Sequence, residues 1–226
     1  MTGACVGISA LLQPGHELGR ERAMAFEHQP HQVRRRHGAI VLAATAVVND
    51  LDGLGALACV TMTIEIRPVR PGEHDEAGRV TALAYREFVP PDGSSDWDQY
   101  LAFMADIAQR ADRTTVLVAV EDGRILGSVT LELDGRTEPD DPPLASDQAH
   151  IRMLGVDPAA RKRGVARALM DASIERARAA GKTRLTLHTT ASMTIAQGMY
   201  DRMGFRRAPD IVFPDGFTLL GYERDL

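Results

Sequence analysis

One stretch of the sequence, residues 161–167, limits the possible folds of this chain more than any other. It reads Arg161-Lys162-Arg163-Gly164-Val165-Ala166-Arg167, and it lies between a mostly apolar strand predicted over Ile151–Val156 and an amphipathic helix. The first N–H groups of a helix have no partner within it and carry the positive end of its dipole, so an anion can bind there. Gly164 and Ala166 are small enough to let a phosphate approach the backbone. Strand, loop and helix in this order predict an anion site in a domain that mixes α and β structure.

The loop matches neither common nucleotide-binding fingerprint. It lacks the Gly-Lys-Ser/Thr ending of a P-loop and the three spaced glycines of a Rossmann turn. The alternative interpretation is that its arginines form an ordinary solvated helix face. The residues around the loop are therefore needed to distinguish an anion site from a solvated helix face.

Composition excludes some classes of function. The chain has 226 residues, of which 44% are hydrophobic, so it is long and apolar enough to bury a core. Its formal net charge of −5 and its aromatic content of only 5% argue against nucleic acid as a partner. No long apolar segment predicts a membrane span.

Residues 1–61 differ from the rest of the chain. They contain both cysteines, four of the seven histidines and no sustained hydrophobic period. We predict a poorly structured N-terminal extension over 1–61, with Met62 or Met24 as an alternative initiator, and a single folded domain over 62–226. Because this domain has no cysteine, we expect neither a thiolate nucleophile nor a cysteine-based zinc site in it, and we predict no metal.

Hydrophobic patterning from Thr63 onward predicts ten elements in the order β-α-α-β-β-β-α-β-α-β. Asp122-Gly123 is a strong signal for a two-residue hairpin turn. The predicted strands and helices are Thr63–Pro68, Glu73–Phe88, Asp96–Ala111, Thr115–Glu121, Arg124–Leu133, His150–Val156, Gly164–Ala180, Thr183–Thr189, Thr194–Met203 and Phe217–Tyr222.

Two motifs in this order resemble the GNAT superfamily of N-acetyltransferases. Arg161-x-x-Gly164-x-Ala166, preceded by Leu154-Gly155-Val156-Asp157-Pro158, is similar to the loop of that family. Ala196, Met199-Tyr200 and Met203-Gly204-Phe205 are similar to its last helix and turn. The resemblance covers roughly residues 62–226. It implies an α/β fold with a central, mostly antiparallel sheet, a splayed parallel strand pair and about four flanking helices.

The same resemblance implies a site for acetyl-CoA. The backbone amides of the loop would bind its pyrophosphate, and backbone groups of Leu154 and Val156 would bind its pantetheine arm. The N–H of Leu154 or Gly155 would polarise the thioester carbonyl. The implied cofactor-binding residues are Leu154, Gly155, Val156, Arg161, Lys162, Arg163, Gly164, Val165, Ala166 and Arg167. Met193 departs from the family pattern, which often has Asn there, and this puts that one contact in doubt.

Tyr200 and His150 are the candidate catalytic residues. The position of Tyr200 in the second motif implies a general acid for the departing thiolate, and its alternative role is packing on the helix. His150 begins the splayed strand, and an imidazole titrates in the range useful to a general base. The alternative is that His150 only ends a loop. Asp147, Glu132 and His188 are weaker candidates for the base.

The leading hypothesis is direct transfer of acetyl from acetyl-CoA to a primary amine of a small molecule or peptide, in a cytoplasmic monomer or homodimer. A second hypothesis is an acyl-CoA-binding regulatory module without turnover, and a third is an interaction protein with an arginine-rich helix. We expect the acceptor to be recognised by residues 89–96, 134–148 and 209–217. Their aspartates could form an acidic mouth for a cationic amine; they are Asp96, Asp147, Asp210 and Asp215, with Asp98 just beyond.

Overall fold

A computed structural model describes residues 40–45, 61–89, 95–138, 143–214 and 216–226. The strands are β1 (Ile40–Thr45), β2 (Thr61–Pro68), β3 (Thr115–Glu121), β4 (Arg124–Glu132), β5 (Gln148–Val156), β6 (Arg184–Thr189), β7 (Arg206–Val212) and β8 (Thr218–Asp225). The α-helices are α1 (His74–Tyr85), α2 (Ser95–Ala105), α3 (Ile107–Ala111), α4 (Val165–Ala179) and α5 (Thr194–Arg202). Short 3₁₀ turns cover Pro71–Glu73, Arg86–Phe88 and Pro158–Ala160.

The described strands form one sheet in the order β1-β2-β3-β4-β5-β6-β8-β7. All neighbours are antiparallel except β5 and β6, which are parallel. A parallel pair needs a long crossover, and α4 lies within that connection. The mixed α/β fold with a mostly antiparallel sheet and one parallel pair is confirmed.

Helices cover both faces of the sheet, and β3 shows how its alternating side chains are divided between them. Leu117 and Ala119 belong to the core cluster that contains α4. Val116 and Val118 belong to the cluster formed with α1 and α3. Because both faces of β3 are buried, its sequence is a nearly continuous apolar run.

The predicted helix over Asp96–Ala111 is wrong in one respect, because Asp106 divides it into α2 and α3. The carboxylate of Asp106 accepts a hydrogen bond from the N–H of Gln109 (2.9 Å), which caps the start of α3. Arg110 then turns back and donates to the carbonyl oxygens of Met104 (2.8 Å) and Asp106 (2.7 Å). A buried arginine thus satisfies the carbonyls that the end of α2 leaves unpaired.

The sequence prediction missed β7 altogether. This strand is the last in the sheet, its residues are mostly exposed and it contains Pro209. An edge strand has no need for apolar alternation and tolerates proline, so its sequence resembles a loop. β8 is also longer than predicted, because it pairs with β7 on one side and β6 on the other.

Within the predicted N-terminal extension, residues 40–45 form a strand that pairs antiparallel with β2. Residues 1–39 and 46–60 lie outside the described part of the chain, so the division at residue 61 stays a prediction. In the described ranges, no helix has both the length and the apolar content needed to cross a membrane.

Candidate active site

The parallel strands β5 and β6 separate after a short paired region. Residues 148–151 pair with residues 184–187, and the pairing stops there although both strands continue. Met153 has a φ of 53°, and the register between β4 and β5 shifts opposite it. A bulge of this kind bends a strand and re-aims its side chains. The second half of β5 therefore leaves an open wedge between itself and β6.

The backbone of Val156 faces this wedge. The N–H of Asp157 donates to the carbonyl of Leu126 on β4 (2.8 Å), and Gly155 lies opposite Ser128. In an antiparallel ladder, alternate residues bond to the same neighbour, so Asp157 and Gly155 pair with β4 while Val156 points to the other edge. Of the two predicted oxyanion donors, this register favours Leu154 over Gly155.

The loop before α4 turns through two left-handed residues, Lys162 (φ 62°) and Gly164 (φ 81°). The first helical acceptor is the carbonyl of Gly164, which receives the N–H of Ala168 (2.9 Å). The amides of residues 165–167 therefore precede the hydrogen-bonding ladder of α4. A Cβ built on Gly164 would have no heavy atom within 4 Å, so the loop is open above its backbone.

The basic side chains of this loop are largely engaged with carboxylates. Arg161 forms two hydrogen bonds with Glu87, both 2.8 Å long. Arg163 pairs with Glu121 (2.5 Å), and Arg167 pairs with Asp171 (3.2 Å). An anion at this loop would therefore meet mainly backbone N–H groups rather than uncompensated arginine charges.

A cavity of about 560 Å³ joins the wedge to this loop. Nine of the ten predicted cofactor-binding residues line it, and Arg163 does not; the nine are Leu154, Gly155, Val156, Arg161, Lys162, Gly164, Val165, Ala166 and Arg167. Small residues, open amides at a helix start and an extended shape suit a ligand with a phosphate group at one end. The residues present thus fit the predicted cofactor.

Tyr200 lies on α5 and lines the same cavity. Its helix ends at a left-handed Gly204, where the N–H of Phe205 donates to the carbonyl of Tyr200 and that of Gly204 to Asp201, each at 3.0 Å. This is a Schellman cap, and it brings the Phe205 ring to 5.8 Å from the Tyr200 ring. Burial raises the pKa of Tyr200 above its usual value, so the phenol keeps its proton at neutral pH.

His150 lies on β5, is 7% exposed and lines a second, smaller cavity. Its Nδ1 lies 2.7 Å from the hydroxyl of Thr186, which donates to the carbonyl of Ala149 (3.2 Å) and accepts from the side chain of Gln148 (2.8 Å). In the arrangement in which the Thr186 hydroxyl donates to Ala149, His150 carries its hydrogen on Nδ1 and donates it to Thr186. The lone pair then lies on Nε2.

Burial keeps His150 uncharged but also lowers its proton affinity, which makes it a weaker base than a free imidazole. Burial, then the nearby His188, Arg136 and Arg152, lower the pKa of His150 well below its usual value. The ring of His188 lies 5.2 Å away, and its pKa is lowered mainly by burial and then by the same two arginines. Both imidazoles are therefore neutral at pH 7 and able to accept a proton.

The other candidate bases are placed differently. Glu132 is fully buried and is held by Arg136 (2.5 Å) and by the N–H of Thr137 (2.6 Å). Asp147 lines neither cavity and lies 3.8 Å from Arg184. His188 lines both cavities, so it is the one alternative to His150 that has access to a bound ligand.

The smaller cavity has a volume of about 360 Å³ and shares part of its wall with the larger one. Met153 and His188 line both cavities, while His150 and Tyr200 each line one. Sequence reasoning missed most of this cavity, because its wall comes from distant segments that carry no common motif. One sequence expectation did indicate part of this cavity, namely that residues 134–148 and 209–217 recognise the acceptor.

Three aspartates of the predicted acidic mouth have described side chains, and none of them lines this cavity; they are Asp98, Asp147 and Asp210. Asp98 is exposed, Asp210 pairs with Arg207, and the side chains of Asp96 and Asp215 lie outside the described residues. Across the described ranges, no three His, Cys, Asp or Glu side chains are grouped in a way that could hold a metal ion.

Fold and cavity together define a mixed α/β protein whose cavity extends from the separated strands β5 and β6 to the start of α4. Known proteins place it more closely. The model of the acetyltransferase (GNAT) family matches residues 79–205, which is more than half of the chain. The chain therefore belongs to the acetyltransferase (GNAT) family.

Individual relatives agree with this placement. A mycothiol acetyltransferase of Cellulomonas flavigena is 31% identical over 157 residues, which are 66% of this chain and 43% of the relative. A [ribosomal protein bS18]-alanine N-acetyltransferase of Haemophilus ducreyi is 41% identical over 61 residues, which are 27% of this chain and 42% of the relative. The chain thus spans less than half the length of these curated relatives.

The fold also matches solved structures. PaiA N-acetyltransferase from Thermoplasma acidophilum, solved in complex with coenzyme A, superposes with a TM-score of 0.57 at 13% sequence identity. The match covers 73% of this chain and all of that chain. At this level of identity the likeness concerns the fold alone.

Proposed function

We propose that this protein transfers an acetyl group from acetyl-CoA to a primary amine of a small molecule or peptide, by direct attack within a ternary complex. One observation carries the proposal: one cavity is lined by the open amides before α4, by Tyr200 and by the half of β5 that does not pair with β6, and a second cavity containing His150 adjoins it. Family membership supports acetyl transfer. The cavity at the start of α4, together with the family, supports acetyl-CoA as the donor.

Acetyl-CoA, when bound, supplies the acetyl group as a thioester whose sulfur leaves as a thiolate. The backbone amides of residues 165–167 bind and orient the diphosphate, because they are open donors at the positive end of a helix dipole. The N–H of Leu154 donates to the carbonyl oxygen as negative charge develops on it. Losing one such donor typically raises a barrier by about 3 kcal/mol.

Two side chains handle the protons. His150 Nε2 accepts a proton from the attacking amine. Its Nδ1–H keeps a hydrogen bond to the Thr186 hydroxyl, which holds the ring in its orientation. Tyr200 donates its phenolic proton to the departing sulfur. In this balance the C–N bond forms, the C–S bond breaks, and one proton moves at each end.

The names of the relatives indicate which classes of acceptor to consider. The two curated relatives are named for mycothiol and for an alanine of a ribosomal protein, so a small molecule and a protein N-terminus are both acceptors within reach of this family. The proposal therefore keeps both classes of acceptor.

Release of CoA thiol, measured with a panel of primary amines, tests the proposal. We expect at least one amine to accelerate thiol release and to appear as its N-acetyl derivative by mass spectrometry. Tight binding of acetyl-CoA without acceleration by any amine would refute the enzyme and favour a regulatory acyl-CoA-binding module.

A further inference from the structure

The smaller cavity gathers aromatic residues from across the chain. The whole sequence contains only eleven Phe, Tyr and Trp residues. Six of them line this cavity of about 360 Å³: Tyr85, Phe88, Trp97, Tyr100, Phe213 and Phe217. More than half of the aromatic residues of the chain therefore line the smaller cavity.

These rings come in three pairs from three parts of the fold. Tyr85 is the last residue of α1 and Phe88 lies in the 3₁₀ turn after it, with ring centroids 6.3 Å apart. Trp97 and Tyr100 lie on α2, with ring centroids 5.7 Å apart. The third pair spans the β7–β8 connection, where Phe213 and Phe217 lie 5.7 Å apart. The N–H of Phe213 donates to the carbonyl of Phe217 (2.8 Å), which fixes that turn. Rings held by separate elements form walls on several sides of a ligand.

Charge distinguishes the two kinds of ligand that such rings can bind. Aromatic rings bind apolar groups, and they also bind cations through their π faces. Among the described residues, the ionisable side chains lining this cavity are Arg136, Arg152, His150, His188 and the two tyrosines, and none is acidic. Arg136 and Arg152 already disfavour positive charge on both histidines. A permanent cation on the ligand would meet these two arginines, whose combined charge the single buried carboxylate of Glu132 offsets only in part.

We infer that the smaller cavity binds an acceptor amine through a neutral aromatic or bulky apolar substituent, and that polycationic amines are poor acceptors. This inference names the substrate class and rests on the proposed acetyl transfer. The substituent lies among the three pairs of rings, and the amine points past Met153 and His188 into the wall shared with the cofactor cavity. The free amine is favoured at that point for the same reasons that keep the histidines neutral, which are burial first and the nearby arginines second.

Trp97 allows a binding test that does not depend on turnover. It is the only tryptophan of the chain and it lines the cavity, so its fluorescence reports occupancy. Titration with 2-phenylethylamine should give a saturable change in this fluorescence, at a Kd at least tenfold below that of putrescine or spermidine. Equal or tighter binding of the polyamines would overturn the inference.

A pair of neighbouring substitutions provides a matched comparison. Phe213→Ala removes a ring that lines the cavity, whereas Val212→Ala truncates the adjacent residue, which is 68% exposed and lies outside it. We expect Phe213→Ala to raise the Kd for 2-phenylethylamine at least fivefold and Val212→Ala to change it less than twofold. Equal effects of the two changes would contradict the inference. If Phe213→Ala does not fold, the series of amines decides alone.

The outcomes separate this inference from the proposed function. Acetylation of amines with no preference for aromatic substituents would refute the inference and leave acetyl transfer standing. Saturable binding of 2-phenylethylamine without any acetyl transfer would refute the proposed function and support the aromatic ligand class.

Discussion

The neutral state of buried His150 predicts a specific loss of stability in mild acid. In the unfolded chain this imidazole takes up a proton near its ordinary pKa of 6.5, whereas the folded protein lowers that pKa well below this value. Unfolding below pH 6.5 therefore binds a proton that the native state excludes. The contribution is complete above pH 6.5 and is lost as the pH falls towards the folded pKa.

The magnitude follows from linkage. A single site whose native state stays neutral loses about 1.4 kcal/mol of unfolding free energy between pH 7.5 and 5.5. His150→Asn removes this titration, and its side-chain amide nitrogen can still donate to Thr186 at the position of Nδ1. We expect the variant to lose about 1.4 kcal/mol less than the unchanged protein over this interval, since His188 contributes equally to both.

Urea unfolding at pH 8.5, 7.5 and 5.5, followed by circular dichroism, measures the difference. Between pH 8.5 and 7.5 the gap in unfolding free energy between the two proteins should stay constant, which is an internal control. If the gap also stays constant from pH 7.5 to 5.5, the fold does not lower the pKa of His150, and the argument from its burial is wrong.

Four further substitutions, at three positions, test the cofactor cleft and the core. Tyr200→Phe should lower kcat about 10²-fold while sparing acetyl-CoA affinity measured by calorimetry, and an unchanged rate would exclude Tyr200 from proton transfer. Gly164→Glu should abolish acetyl-CoA binding because it places negative charge at the helix start. Gly164→Ala should instead lower the free energy of unfolding by about 1 kcal/mol, because residue 164 has a left-handed φ of 81°. Retained affinity in the Glu variant would show that the diphosphate binds at another place. Arg110→Met should reduce the free energy of urea unfolding by about 3 kcal/mol, because buried carbonyls lose their donors. Burial lowers the pKa of Arg110 to about 10, so the buried charge itself is unfavourable. A loss below about 1 kcal/mol would mean that removing this charge offsets the lost hydrogen bonds.

Local signals in the sequence predicted the parts of the fold that local physics determines. The Asp122-Gly123 turn adopts φ values of 48° and 76°, as a type I′ hairpin requires, and β3 has the predicted bounds. Gly204 likewise ends α5 in the left-handed conformation. The resemblance supplied what local signals could not, namely that the loop at Gly164 and the helix of Tyr200 face one cavity.

The remainder depends on contacts between distant segments. Pro209 made β7 look like a loop, because nothing nearby in sequence shows that β8 will pair with it. The left-handed Met153 has no signature in the sequence, yet the register with β4 shifts beside it. Trp97 and Phe213 are more than a hundred residues apart, so their common cavity could be recognised only after folding.

The wall that the two cavities share has a consequence for protein engineering. Changes at Met153 or His188 would alter the proposed donor and acceptor sites together, because these residues line both cavities. Trp97, Tyr100, Phe213 and Phe217 line the smaller cavity alone. Libraries of substitutions at these four positions should therefore change acceptor specificity and leave the residues that line the larger cavity unchanged.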